Sequence, residues 1–357
     1  MSNCCIDCFK DHEIRTIIQS KKKIGNCDFC GKEQIYILDL EEENELEYLF
    51  SEFISIYVKD NKNNLASDLL KNFLKNDWYI FNESLETSKI EKLIKAICPK
   101  FILNNPYLLT DRLIIKEKFD EEHLNINSIF RGYDWEEFSD GIRNNVRYHS
   151  NYLNHEVLKS YIEHSEEDIL KGQKFYRARI SNVAEGFLKK DMGAPPSEIA
   201  RGGRANPEGI PYLYLGDTKE TVIYETRAAM YDYITIGVFE CEKDIKVIDF
   251  INLDKISPFR RWESRIEYLN HAINNEHLRR ISREIAKPLR NNANRLEYLP
   301  TQYICDFIKT LNYDGIKYKS SMNTEGYNLA IFSGDLFKCI DVKTYDIESI
   351  NYRYNPC

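Results

Sequence analysis

Between Leu46 and Tyr57 apolar side chains return every three or four residues (Leu46, Leu49, Phe50, Phe53, Ile54, Tyr57), with acidic residues between them. That period fits an α-helix with one buried stripe. The stretch LASDLLKNFLKNDW (65–78) behaves the same way, and helical periodicity extends from residue 38 to about 170. From about Lys171 the pattern changes to short β-rich runs: FYRARI (175–180), PYLYLG (211–216), ITIGVFE (234–240), IKVIDF (245–250), GIKYKSS (315–321) and NLAIFSG (328–334). Turn residues separate them, apart from one basic helical insertion from Trp262 to Arg295. The change of period predicts an α+β protein, with the boundary in EHSEEDILKGQ (163–173). Three sections are expected: a metal-binding segment at 1–36, a helical domain at 37–168, and a sheet-bearing domain at 171–345.

The 357 residues are enough for two cores. A hydrophobic fraction of 43% and a charged fraction of 30% are those of a globular protein, and the net charge of −8 argues against non-specific coating of nucleic acid. No apolar run reaches membrane-spanning length, and MSNCCIDCFK lacks the pattern of a signal peptide, so a cytoplasmic location is expected. A homo-oligomer is compatible with this composition. In the cytosol the ten cysteines are expected to be thiols or metal ligands. Cys5-x2-Cys8 and Cys27-x2-Cys30 have the spacing of a four-thiolate zinc site, with Cys4 and His12 as alternative ligands. Four sulfurs leave no open position for water, so such a zinc would be structural.

RGGRANPEGIPYLYLGDTKETVIYET (201–226) carries the densest chemistry. Its Gly, Asn and Pro content predicts an ordered loop that delivers Arg204 to the start of a strand, with backbone amides and a guanidinium fork suited to phosphate. Tyr212 and Tyr214 share one face of that strand. Asp217 is the expected N-cap of the next helix, with Glu220 as its capping-box partner. Val222, Glu225, Thr226 and Ala229 then share a face, and a glutamate among them needs a partner or a task. An ion pair with Arg227 or another arginine is the structural alternative. No dinucleotide-binding glycine fingerprint and no phosphate-binding P-loop motif occurs.

GGRANPEGIPYLYLGDTKETVIYE resembles the core motif of the RES family, usually GGRWN-x-x-G-x-P-x-x-Y followed by a helical Glu. The resemblance makes Arg204, Tyr214 and Glu225 the catalytic residues. Ala205 stands where the family has Trp, which removes one expected wall of the pocket. LPTQYICDFIKTLNYDGIKYKSSMNTEGYNLAIF (299–332) resembles the closing segment, with the family's serine at Ser320 or Ser321. FYRARI resembles the opening strand, and Arg177, Asn206 and Ser320 become the substrate-binding residues. CCIDCF, CDFCGK and WEEFSDGIRNNVRY resemble the zinc-bearing helical domain that precedes some RES domains. The resemblance implies an ADP-ribosyltransferase-like fold and an NAD-consuming enzyme, a glycohydrolase or phosphorylase, of toxin or defence type. It also implies NAD and phosphate as small-molecule partners, and an inhibitory antitoxin or regulatory partner. Transfer of ADP-ribose to a macromolecule is the neighbouring alternative.

On this reading Glu225 stabilises the oxocarbenium-like ribose, Tyr214 stacks on nicotinamide (about 1 kcal/mol), and Arg204 and Arg177 pair with the pyrophosphate. Two other classes compete. RNNVRYH (143–149) fits the R-N-x4-H pattern of HEPN ribonucleases, and HLRRISREIAKPLR (277–290) could serve a nucleic-acid-binding module, although Leu278, Ile281, Ile285 and Leu289 also form an inward stripe.

Overall fold

The computed structural model describes residues 2–42, 44–260, 265–288 and 294–350. Its contacts divide the chain into two compact units, Met1–Gly132 with Asp254–Leu278, and Tyr133–Leu253 with Arg279–Cys357.

The first unit opens with a three-stranded antiparallel sheet of β1 (Asn3–Cys5), β2 (Ile24–Gly25) and β3 (Ile35–Asp39), interrupted by α1 (His12–Ser20). These strands were not anticipated, because pieces of two to five residues leave no readable period. A two-stranded ladder of β4 (Val58–Lys59) and β5 (Leu113–Ile114) follows, with helices α2 (Leu46–Ile54), α3 (Leu70–Asn76), α4 (Thr87–Ile97), α5 (Pro99–Asn104), α6 (Tyr107–Thr110) and α7 (Glu121–Asn127). The stripe read from Leu46 onward is buried at Leu46, Phe50, Phe53 and Ile54. Phe50 and Phe53 pack against Phe259, and Phe53 against Tyr268, so residues from late in the chain complete this core.

The second unit contains α8 (Trp135–Asp140), α9 (His155–Ile162) and, among the described residues, an eight-stranded sheet. Its strands are β6 (Glu166–Ile169), β7 (Lys174–Ser181), β8 (Leu213–Gly216), β9 (Tyr233–Cys241), β10 (Ile245–Asp249), β11 (Gly315–Lys319), β12 (Tyr327–Ile331) and β13 (Phe337–Asp346). The spatial order is β13-β9-β7-β8-β12-β11-β10-β6, with β10 and β11 parallel and every other pair antiparallel. The α+β class expected from the pattern is the one observed. All six anticipated runs form strands. The two edge strands were missed, and β6 lies within the stretch read as a boundary. Helices α10 (Lys219–Thr226), α12 (Leu299–Thr310) and the end of α11 (Arg265–Ala286), whose residues up to Leu278 belong to the first unit, complete the set. The insertion expected from Trp262 to Arg295 is α11; Trp262 and Leu289 lie outside the described residues. Leu278, Ile281 and Ile285 are fully buried, as their spacing predicts. No helix among the described residues is long and apolar enough to cross a membrane.

Pleating then decides what each face of the sheet offers. Leu213 and Leu215 of β8 join Leu329 and Ile331 of β12 in an apolar cluster with Phe175, Phe239 and Phe337. The register pairs Ala330 with Tyr214 and Tyr318 with Asn328, so Tyr214, Asn328 and Tyr318 share the opposite face. That face carries the polar chemistry.

Candidate active site and cysteine cluster

Loop 201–212 is held open by its own side chains. Asn206 Nδ2 donates to the carbonyls of Arg201 (3.1 Å), Pro207 (3.1 Å) and Ile210 (2.8 Å), and its Oδ1 accepts from the Tyr214 hydroxyl at 2.7 Å. From α12, Thr301 Oγ1 donates to the Arg204 carbonyl at 2.7 Å and Gln302 Nε2 to the Gly203 carbonyl at 2.6 Å. Gly203 is required here: a Cβ would stand 2.6 Å from Asn206 Oδ1 and 2.7 Å from the Tyr214 hydroxyl. Two loop amides expected to be free for an anion are already used, Gly203 N–H by the Asn206 carbonyl and Ala205 N–H by the Tyr214 hydroxyl. Burial, and then Tyr318, pushes the Tyr214 phenol well above its usual pKa, so it stays a donor.

Arg204 is buried, and its Nη1 donates to the carbonyls of Ala286 (2.9 Å) and Ile285 (3.4 Å) at the C-terminus of α11. A cation there also complements the helix dipole. Its guanidinium lies 5.1 Å from the centre of the Tyr318 ring. Burial opposes its charge, but Tyr318, Tyr298 and Glu225 together outweigh that and raise its pKa. Arg177 is in the opposite condition. Its Nη1 is buried with no hydrogen-bond partner among the described residues, and burial, reinforced by Arg179, lowers its pKa to about 10.

The helix bearing Glu225 starts one residue later than expected. Thr218, not Asp217, is the N-cap and accepts from Thr221 N–H at 3.1 Å; Asp217 accepts from the Thr221 hydroxyl at 2.7 Å. It ends at Arg227 in the left-handed region (φ 52°), so Ala229 lies beyond the helix and only Val222, Glu225 and Thr226 share its inner face. Among the described residues Glu225 takes no arginine as its hydrogen-bond partner. Its Oε1 accepts from Ser320 Oγ at 2.7 Å and Asn328 Nδ2 at 2.8 Å. Ser320 is buried and Ser321 exposed, which places Ser320 at the site.

These residues meet in one cavity of about 310 Å³, lined by Arg177, Arg204, Tyr214, Glu225, Asn328, Tyr298 and Tyr318 among others. Asn206 is 3% exposed with its amide spent inside the loop, so it supports the cavity without lining it. Ala205 is fully buried and offers no wall; Tyr298 and Tyr318 supply the aromatic lining instead. The sequence reading missed Asn328, Tyr298 and Tyr318. An asparagine inside the apolar run NLAIF was the available signal, since strands disfavour Asn.

In the first unit, the sulfurs of Cys5, Cys8, Cys27 and Cys30 lie within 4.8 Å of one another, while Cys4 and His12 are not part of the group. Cys5 ends β1, Cys8 ends the following 3₁₀ turn, and Cys27 and Cys30 lie in the turn before β3. Separations of 3.3 Å (Cys5–Cys30), 3.5 Å (Cys8–Cys27) and 3.8 Å (Cys5–Cys8) suit sulfurs about 2.3 Å from a tetrahedral ion. Gly31 (φ 77°) makes the tight turn, and Cys30 N–H points at Cys27 Sγ from 3.5 Å. Without a metal the sulfurs can only share protons: Cys5 and Cys8 pull the Cys27 pKa down, and Cys27 drives that of Cys8 up. The donor set fits zinc.

The R-N-x4-H stretch spans the end of a helical turn. Arg143 lies in a π-helical turn (Gly141–Asn145) and pairs with Glu297 at 2.7 Å, while His149 is exposed beyond the end of that turn.

The RES domain matches residues 174–355. This chain belongs to the RES domain family. The match covers every cavity-lining residue named above. A solved structure, that of the M. tuberculosis MbcT-MbcA toxin-antitoxin complex, contains a chain 13% identical to this one; 53% of this chain and 92% of that chain are covered, at a TM-score of 0.30. No curated protein matches the sequence.

Proposed function

We propose that this RES protein consumes NAD by breaking the nicotinamide–ribose bond. Family membership supports an enzyme acting on NAD, and one observation carries the specific reading: the Glu225 carboxylate and the Arg177 guanidinium, whose Nη1 has no hydrogen-bond partner among the described residues, line one aromatic-walled cavity. Nicotinamide leaves a cationic pyridinium as a neutral molecule, so its departure needs no proton and a single carboxylate suffices, in contrast to the acid–base pair of ordinary glycosidases. Glu225 faces the developing positive charge on the ribose. Arg177 meets the pyrophosphate. Arg204 is held by the α11 carbonyls, so it orients the loop and contributes charge. Tyr214, Tyr298 and Tyr318 offer ring faces to nicotinamide. Asn206 and Ser320 act by positioning, Asn206 on Tyr214 and Ser320 on Glu225.

The acceptor in this proposal is water or phosphate, and an inhibitory partner restrains the enzyme in the cell. Four thiolates hold zinc as a structural ion that takes no part in the reaction. Incubating purified protein with NAD, with and without phosphate, and resolving products by mass tests the reading. Nicotinamide with ADP-ribose or its 1-phosphate is expected; NAD left intact in both buffers overturns it. An ADP-ribose adduct on a macromolecule would instead establish transfer.

A further inference from the structure

Both hydrogen bonds to Glu225 fall on the same oxygen. Oε1 receives Ser320 Oγ at 2.7 Å and Asn328 Nδ2 at 2.8 Å, and among the described residues Oε2 receives none. Ser320 cannot turn its proton elsewhere cheaply, because its oxygen already accepts from the amides of Asn323 (3.1 Å) and Met322 (3.3 Å). Asn328 is fixed by a different element. It lies on β12, between β8 and β11, opposite Gly216 on one side and Tyr318 on the other. Gly216 beside it lets α10 pack close to the sheet, since a Cβ there would stand 2.7 Å from Val222 Cγ1, and this brings Glu225 within reach of the Asn328 amide. An asparagine 5% exposed in an apolar central strand is poorly suited to that element, and burying its amide costs stability unless the amide is bonded. Leu or Val would serve the sheet better. The strand tolerates Asn328 and directs its N–H at the carboxylate.

We infer that Asn328 is a positioning residue of this active site: with Ser320 it clamps Glu225 through Oε1, so that Oε2 is the oxygen that meets the substrate. The identity of that substrate rests on the NAD reading above; the clamp does not. Two donors from separate elements, a strand and the loop after β11, fix the carboxylate plane, which one donor would leave free to swing. A misplacement near 1 Å at a reacting group can cost about 10²-fold in rate.

Asn328→Leu keeps the volume and removes the donor. The expected result is a fall in kcat for NAD of about 10- to 100-fold, with KM changed less than about threefold and Tm not lowered, because a buried polar group has been replaced by an apolar one. Asn328→Asp sets two carboxylates side by side and should lose as much activity as Glu225→Gln. Asn328→Leu with an unchanged kcat would overturn the inference while leaving the NAD reading intact. The substrate-free readout is a crystal structure of wild type and Asn328→Leu. Glu225 should occupy one position in the first, and a rotated or divided one in the second. If wild type consumes no NAD but Glu225 moves in this way, the reaction assignment fails and the clamp stands. If Glu225 keeps one unchanged position in the variant, the clamp fails whatever the activity.

Discussion

Arg177 and Tyr214 show how differently two residues of one motif set are used. Arg177 is half-buried, but its Nη1 is fully buried with no hydrogen-bond partner among the described residues, which is costly to the fold. Its pKa is depressed to about 10, so at every pH below that the folded state carries a cation that the unfolded chain holds more comfortably, a constant penalty through the neutral range that is relieved only as pH rises above about 10. Arg177→Met is therefore expected to raise Tm at pH 7 while raising KM for NAD at least tenfold. A lower Tm in thermal denaturation would show that Arg177 is an ordinary structural residue. Tyr214 is the reverse case. Stacking alone would let Phe replace it, yet its hydroxyl joins Asn206 to Ala205 N–H in a buried position. Tyr214→Phe strands both partners, at about 1–3 kcal/mol, and should lower both Tm and activity. Retention of full activity by Phe would return the role to the ring. Glu225→Gln keeps the shape but removes the charge, and NAD turnover should fall about 10²- to 10³-fold with Tm little changed. Turnover above a tenth of wild type would remove Glu225 from the chemistry.

Helix α10 and the cysteine turn set the limits at the next scale. A glutamate in the last turn of α10 is on the wrong side of the helix dipole, which disfavours it by about 0.3–1 kcal/mol. Its two hydrogen bonds offset that, and the left-handed Arg227 ends the helix just past it, so the side chain is delivered at the helix end. Cys27 illustrates an element that depends on its ligand. Strands β1 and β2 are only three and two residues long, and binding energy at a four-thiolate site is folding energy. Cys27→Ser should release zinc and lower Tm. Absence of zinc from freshly purified wild type, measured by elemental analysis, would remove the metal from the account.

For the molecule as a whole, the informative fact is that chain order and packing order differ. Residues 254–278 fall inside the stretch matched by the RES family, yet they group with the first unit, where Phe259 and Tyr268 meet Phe50 and Phe53. Within that unit α11 is pinned by polar side chains as well: Asn274 accepts from Ile129 N–H at 2.7 Å, and Asn275 donates to the Asp77 carbonyl. A chain cut to residues 171–357 would leave Phe259, Tyr268, Leu269 and Ala272 without their partners. It is expected to be insoluble or to lack a cooperative thermal transition. Soluble, active protein from that cut would show that the first unit is dispensable for folding.

Local spacing was enough for whatever depends on a few neighbouring residues. Period 2 against period 3.6 located the six inner strands and α2, because burial of one face forces that alternation. The paired Cys-x2-Cys turns identified all four clustered sulfurs, because two residues of backbone suffice to converge a pair. The motif order RGGRAN, Tyr214, Glu225 and Ser320 identified much of the cavity. Tertiary structure decided what the side chains are used for. Arg204 grips a helix end far along the chain, Asn206 ties its own loop, and Asn328 reaches Glu225 across 103 positions. Such partners follow from strand register and loop closure, which bring distant residues together with no trace in local periodicity. The edge strands β6 and β13 escaped for the same reason: an edge buries less of either face, so its alternation is weak.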